Sequence, residues 1–277
     1  MRRVVSVWLK GWPIARLMIA QAKGSFPSGG PADPVDSARP FVVVAEAPGG
    51  ARIAALNGAA ERAGLKAGGR LADARATVDG LQVRPADEGA DAAALARLAL
   101  WATRYTPLVE PFDGASGADG LFLDIAGAEH LHGGEEPLLA DLARRLRAFG
   151  LPARLALAST PGAAWALARH EKGGTVVLPG GEAEALRPLP VTALRLPPET
   201  LAALRRLGLK WIGGLLDAPR APLTKRFGPE LLRCLDGALG RLPEPLAPVV
   251  PPPPTAPSAR SPIPSSPGTR SSPPRRT

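Results

Sequence analysis

Asp119-Gly120-Leu121-Phe122-Leu123-Asp124-Ile125-Ala126-Gly127 packs four large apolar side chains into five positions, between an Asp-Gly step and an Ala-Gly step. A short apolar run bounded by turn residues predicts a buried strand over residues 121–125. Upstream of it, residues 91–106 carry Ala94, Leu95, Leu98 and Trp101 at helical spacing, which predicts an amphipathic helix. Downstream, Leu138, Leu139, Leu142, Leu146 and Phe149 mark a helix over residues 136–149, followed by a strand over 154–158 and a helix over 163–170. Toward the start, residues 4–9 are mostly β-branched and apolar, so they predict a first buried strand ended by Pro13. Residues 14–21 then predict a helix, and 24–40 a loop. Residues 41–46 and 52–56 predict two strands around a hairpin at Pro48-Gly49-Gly50. Short helices follow over 59–64 and 71–78. Strands and helices alternate with connections of varied length. This predicts an α+β fold with a mixed sheet and helices on one face.

Beyond Pro188 the pattern changes. Residues 194–240 contain no strand signal and several short helical ones. Pro197-Pro198-Glu199-Thr200 is a good helix start, with proline in the first turn and glutamate near the N-terminal dipole. Leu201, Leu204 and Leu207 give that helix a buried side. The last thirty residues, from Pro248 on, hold eleven prolines and no acid. They cannot bury enough surface to fold, and predict a disordered basic Pro/Ser/Arg-rich tail. The expected units are residues 1–183, 184–246 and 247–277.

With 34 Lys and Arg against 25 Asp and Glu, the chain carries a formal charge of +9. Such a surplus favours a polyanion such as DNA, bound by phosphate neutralisation and counterion release. Cys234 is the single cysteine, which excludes an internal disulfide and a thiolate cluster and fits a reducing cytoplasm. The apolar run at residues 4–9 is cut by Lys10, so it is neither a signal peptide nor a membrane span, and no membrane partner is expected.

Three segments in order carry a family resemblance. The first is Ala55-Leu56-Asn57-Gly58-Ala59-Ala60-Glu61-Arg62-Ala63-Gly64-Leu65-Lys66-Ala67-Gly68 with Leu71-Ala72-Asp73-Ala74-Arg75. The second is Tyr105-Thr106-Pro107-Leu108-Val109-Glu110 with the 119–127 run. The third is Leu204-Arg205-Arg206-Leu207-Gly208-Leu209-Lys210-Trp211-Ile212-Gly213-Gly214-Leu215. Together they resemble the fingers, palm and thumb of Y-family, lesion-bypass DNA polymerases. The tryptophan-rich start and the His130-Leu131-His132-Gly133-Gly134-Glu135 run bring the resemblance closer to the catalytically degenerate ImuB-type branch. It covers about residues 3–246 and implies a Y-family polymerase-like palm and fingers plus a small all-α helix-hairpin-helix thumb.

The resemblance also locates what is missing. Nucleotidyl transfer uses two divalent metals about 3.5–4 Å apart, clamped by carboxylates, and magnesium takes oxygen ligands. The family's Asp-x-Asp at the end of the first strand corresponds here to Trp8 and Lys10. Its Asp-Glu pair corresponds to Asp119 and Gly120, so Asp119 is the one acid kept. Asp124 lies five residues further on and is a poor substitute. The Tyr-x-x-Arg that grips a triphosphate corresponds to Gly58 and Glu61, and glutamate repels phosphate. The lysine expected after the 154–158 strand is absent from Ser159-Thr160-Pro161-Gly162-Ala163-Ala164. The expected state is a retained scaffold with no catalysis, no bound metal and no cofactor.

In the third segment, Gly208 and Gly213 would permit a tight turn that turns backbone N–H groups toward a DNA phosphate, with Lys210 adding charge. Lys225, Arg226 and Arg233 would extend the basic surface. His130 and His132 lack further ligands for zinc and read as a solvated loop. Gly29-Gly30 and Gly49-Gly50 read as loop glycines. Trp101, Trp165 and Trp211 read as core. The resemblance implies a bridging role in damage-induced mutagenesis, with DNA, a sliding clamp, an error-prone polymerase and a RecA-like protein as partners. It also implies a little-finger domain and a partner-binding tail after the thumb, and nothing after residue 246 reads as either; a truncated or frameshifted end would account for that. Two other readings stay open: an active translesion polymerase with divergent ligands, and a general DNA-binding or interaction module.

Overall fold

A computed structural model describes residues 2–22, 34–114, 117–171 and 174–250. Most of the loop expected at 24–40, including Gly29-Gly30, and the tail from residue 251 lie outside the described residues. In chain order the elements are β1 (Val4–Trp8), α1 (Trp12–Ala22), β2 (Phe41–Ala45), β3 (Arg52–Leu56), α2 (Gly58–Arg62), α3 (Leu71–Thr77), β4 (Gln82–Pro85), α4 (Glu88–Ala102), β5 (Val109–Gly114), β6 (Gly117–Asp124), α5 (Glu135–Ala148), β7 (Arg154–Ala158), α6 (Pro161–His170), β8 (Thr175–Val176), α7 (Glu182–Leu186), α8 (Pro198–Arg206), α9 (Ile212–Asp217), α10 (Arg220–Phe227) and α11 (Pro229–Ala238).

Five strands form one sheet in the order β5-β6-β1-β7-β8. Central β1 is antiparallel to both β6 and β7, and β8 runs parallel to β7. Side chains alternate across the sheet. Val5, Val7, Leu121, Leu123 and Leu157 meet Leu95 and Leu98 of α4 and Leu138, Leu142 and Leu146 of α5. Val4, Phe122, Ala156 and Ala158 meet α6, whose Ala163, Ala164, Ala166 and Ala168 are small enough to bring that helix close to the strands. Helices therefore cover both faces, where the sequence pattern led to an expectation of one. The cause is that β1 and β7 are apolar on both sides, and a continuous apolar run does not reveal which faces have partners.

The second sheet has the order β3-β2-β4. Its hairpin turns at Pro48-Gly49-Gly50, where the Gly50 N–H donates to the Ala47 carbonyl at 3.0 Å. Three strands escaped sequence reading: β4, β5 and β8. All three are edge strands. Two of them contain a proline, Pro85 and Pro111, which an edge tolerates and which lowers a strand signal.

The C-terminal helices α8–α11 share one core with the α6 face through Leu204, Ile212, Leu215, Leu231 and Leu235. Thr160 caps α6 by accepting from the Ala163 N–H at 3.0 Å, and its hydroxyl donates to the Ala238 carbonyl of α11 at 2.8 Å. After α11 the chain returns to the large sheet. The Val249 N–H donates to the Val109 carbonyl at 2.8 Å, and the Ala247 N–H to Glu110 Oε2 at 3.0 Å. Residues 247–249, expected to be tail, thus lie along the outer edge of β5. Among the described residues, no helix is long and apolar enough to cross a membrane.

Candidate functional site

The end of β1 lies against the start of the β6 apolar run. Trp8 pairs with Gly120, and the Leu9 N–H donates to the Asp119 carbonyl at 2.8 Å. Asp119 is part-buried and both of its carboxylate oxygens are taken. The Trp8 indole Nε1–H donates to Oδ2 at 3.0 Å, and Arg169 Nη2 of α6 donates to Oδ1. The Arg169 side chain is 8 % exposed. Its guanidinium lies 4.2 Å from the Trp165 ring centroid, 5.1 Å from Phe112 and 5.6 Å from Trp8. Burial pushes the Asp119 carboxyl above its ordinary range, opposed by Arg169 and the Trp8 hydrogen bond. Burial likewise lowers Arg169 to about 10, opposed by Asp119, which leaves it charged at neutral pH.

Position 120 admits no side chain. A Cβ built there would collide with the Val7 carbonyl oxygen, a backbone atom of the neighbouring strand. Lys10 projects across a cleft between the two sheets, and its Nζ meets Glu61 Oε1 of α2 at 2.8 Å. Both groups are about half exposed, so the bridge contributes ~1 kcal/mol at most. Its consequence is positional, because it joins the end of β1 to α2 across the cleft. The cleft, of about 910 Å³, brings together Trp8, Lys10, Gly58, Glu61 and Asp119 from three separate stretches of sequence. Among the described residues, four acids line it, Glu61, Glu88, Asp91 and Asp119, against the single cation Lys10. Three of the four are already ion-paired, Glu61 with Lys10, Asp91 with Arg16 and Asp119 with Arg169.

The metals that a polymerase palm would imply do not fit these residues. The one matching carboxylate has no free oxygen, the neighbouring positions are indole, ammonium and bare glycine, and a guanidinium fills the approach. Asp124 sits at the other end of β1, opposite Val4, where it accepts from Arg2 Nε at 2.9 Å. Among the described residues, no group of three or more His, Cys, Asp and Glu side chains is placed to hold a metal ion. His130 and His132 fall in a 3-10 turn, Glu129–His132, and the His132 ring packs 5.2 Å from Tyr105.

In the helical region, α8 ends at Gly208, whose φ of +78° is a left-handed conformation that glycine adopts freely. Gly213 serves a different end from the one expected of it. Its N–H donates to the Arg187 carbonyl at 2.9 Å, and a Cβ would lie 2.8 Å from Arg187 Cγ. The Gly208 N–H donates to the Arg205 carbonyl at 3.0 Å. These two amides are therefore spent inside the fold, and what the hairpin offers is side chains. Lys210, Lys225 and Arg226 are exposed, the last two on α10, which packs against α11. Arg233 is held by Glu230. Trp211 is 57 % exposed, against the expectation that it lies in the core, while Trp165 is buried and Trp101 packs edge-on to Tyr105 and Phe149.

Arg169, Phe112 and Trp165 were not singled out from the sequence as site residues. The available signal was Trp165-x-x-x-Arg169, an aromatic and a cation one helical turn apart, but nothing local showed that this face points at Asp119.

Residues 35–169 match the model of the impB/mucB/samB family. The ImuB protein of Caulobacter vibrioides (strain NA1000 / CB15N) is 48% identical over 183 residues, 66% of this chain and 39% of that one. A DNA polymerase IV of Moorella thermoacetica is 34% identical over 128 residues, 45% of this chain and 31% of that one. This chain thus spans about two fifths, or less, of the length of these curated relatives. In fold it resembles DinB from Sulfolobus solfataricus, with a TM-score of 0.64 at 20% identity, covering 88% of this chain and 69% of that one. It also resembles Dbh DNA polymerase in an insertion ternary complex, with a TM-score of 0.62 at 18% identity and the same coverage.

Proposed function

Because the chain is an ImuB-type protein with a Y-family-polymerase-like fold, we propose that it is a non-catalytic scaffold of translesion DNA synthesis and damage-induced mutagenesis in the cytoplasm. One observation carries the reading: the carboxylate of Asp119 is held by Trp8 and Arg169, where catalysis would need it to face metal ions. The polymerase framework then serves to present surfaces. One binds DNA without reading sequence, through Lys210 on a turn shaped by Gly208 and Lys225 and Arg226 on α10, with Gly213 fixing the hairpin to its neighbour. The others join a sliding clamp, an error-prone polymerase and a RecA-like protein. The division into palm and fingers (residues 1–183) and thumb (184–246) belongs to the same reading.

Primer extension with magnesium and with manganese tests it. The expected result is no incorporation, also after Trp8→Asp, Lys10→Asp and Gly120→Glu are combined. Glu61 still opposes the triphosphate in that variant, and the Val7 carbonyl leaves no room for a side chain at position 120. Metal-dependent extension by the native chain would instead establish an active polymerase with divergent ligands.

A further inference from the structure

We propose that Trp8, Phe112 and Trp165, together with the Asp119 carboxylate, form an aromatic cation cage specific for a guanidinium, which Arg169 fills in cis. Three ring faces surround one planar cation at 4.2, 5.1 and 5.6 Å, inside the range of cation–π attraction. One nitrogen of the guanidinium bonds the carboxylate. The opposite nitrogen, Nη1, is buried and has no hydrogen-bond partner, so the rings and not further acceptors hold that side. A guanidinium is weakly hydrated and tolerates this; a divalent ion, which needs a shell of oxygens, does not. Arg154 lies over the Trp8 ring at 5.1 Å and Arg195 over Trp165 at 5.9 Å. The rings thus work as cation-binding surfaces on more than one side.

The cage rests on the non-catalytic reading of the same centre and deepens it: it says what replaced the metals and which cations the refilled site accepts. Its test is Arg169→Ala, followed by thermal unfolding with added methylguanidinium, with urea and sodium chloride as controls, and with manganese. The variant is expected to melt roughly 10 °C below the native chain, because a part-buried carboxylate loses its partner. Methylguanidinium at ten times its dissociation constant should return roughly 4 °C, saturably, and should leave the native chain unchanged. Urea, salt and manganese should return nothing. Stabilisation by manganese in place of methylguanidinium would overturn the proposal by showing that Asp119 still serves a metal. A variant that responds to neither would overturn it by showing that Arg169 only fills space. If the alanine variant does not fold alone, refolding it in the presence of methylguanidinium is the readout, and failure to recover a cooperative melt there overturns the proposal. Extension assays are independent of this rescue, so failure of the cage and failure of the non-catalytic reading are separable.

Discussion

Fifty residues separate Asp119 from Arg169 in the chain, and the two side chains meet beside the end of β1. Asp119→Asn should leave a buried guanidinium without a counter-charge and cost about 3–5 kcal/mol in urea denaturation at neutral pH. Trp8→Phe keeps an aromatic ring but loses part of the indole surface and the bond from Nε1, so it should cost about 1–2 kcal/mol. A ratio near one between the two losses would mean that the ion pair contributes little beyond packing. Asp141 provides a pH-dependent case away from the site. The Tyr105 hydroxyl donates to its Oδ2 at 2.7 Å, and Arg144 and Arg145 also meet it. Its carboxyl is held at about 2, below the ordinary 3.8, chiefly by the Tyr105 hydrogen bond. The folded state therefore favours the carboxylate. The stabilisation is full above 3.8 and is lost as pH falls toward 2. Urea midpoints measured from about pH 5 to 2 should fall less steeply for Asp141→Asn than for the native chain.

Helix α6 links the sheet, the site and the C-terminal helices. It carries Trp165 and Arg169 on the site side, and Thr160 at its start ties it to α11. Thr160→Val removes both the cap and the bond to the Ala238 carbonyl, and should cost about 1–2 kcal/mol. Chemical denaturation would measure this loss. A loss near zero would place the α6–α11 junction on apolar packing alone. The strands legible in the sequence were the ones with strong patterns: β1, β2, β3, β7 and the apolar run of β6. Edge strands β4 and β5 were not, because an edge accepts Pro85 and Pro111, and β8 is only two residues long, whereas the edge strand β3 kept a legible apolar run. The hairpin glycines show the opposite failure. Gly208 and Gly213 were visible as turn residues, yet the Gly213 amide goes to Arg187, a bond that only the packing of distant segments creates.

For the assembled protein the proposed DNA surface predicts a salt dependence. Binding to a labelled primer–template, followed by fluorescence anisotropy, should weaken steeply with salt. Lys210→Ala, Lys225→Ala and Arg226→Ala should each reduce the logarithmic salt slope by about 0.9, the share of one neutralised phosphate. A slope unchanged in the triple variant would place the DNA-binding surface elsewhere on the chain. Deleting residues 251–277 should leave binding in place if the folded surface provides the grip. Loss of binding on deletion would transfer that role to the basic tail, as the interaction-module reading requires.

The linear sequence was enough to indicate the framework. Apolar periodicity located most strands and helices, and the ordered segments led to the expectation that Trp8, Lys10 and Gly120 stand where a polymerase carries carboxylates, because the identity of a side chain is a property of one position. What surrounds Asp119 was decided in three dimensions. That Arg169 reaches Asp119, that Lys10 meets Glu61 across the cleft, that Val7 closes the space at Gly120 and that helices cover both faces of the sheet all depend on segments distant in the chain becoming neighbours. No local pattern carries that information, since the energy of a buried ion pair or of a close backbone approach exists only once both partners are in place.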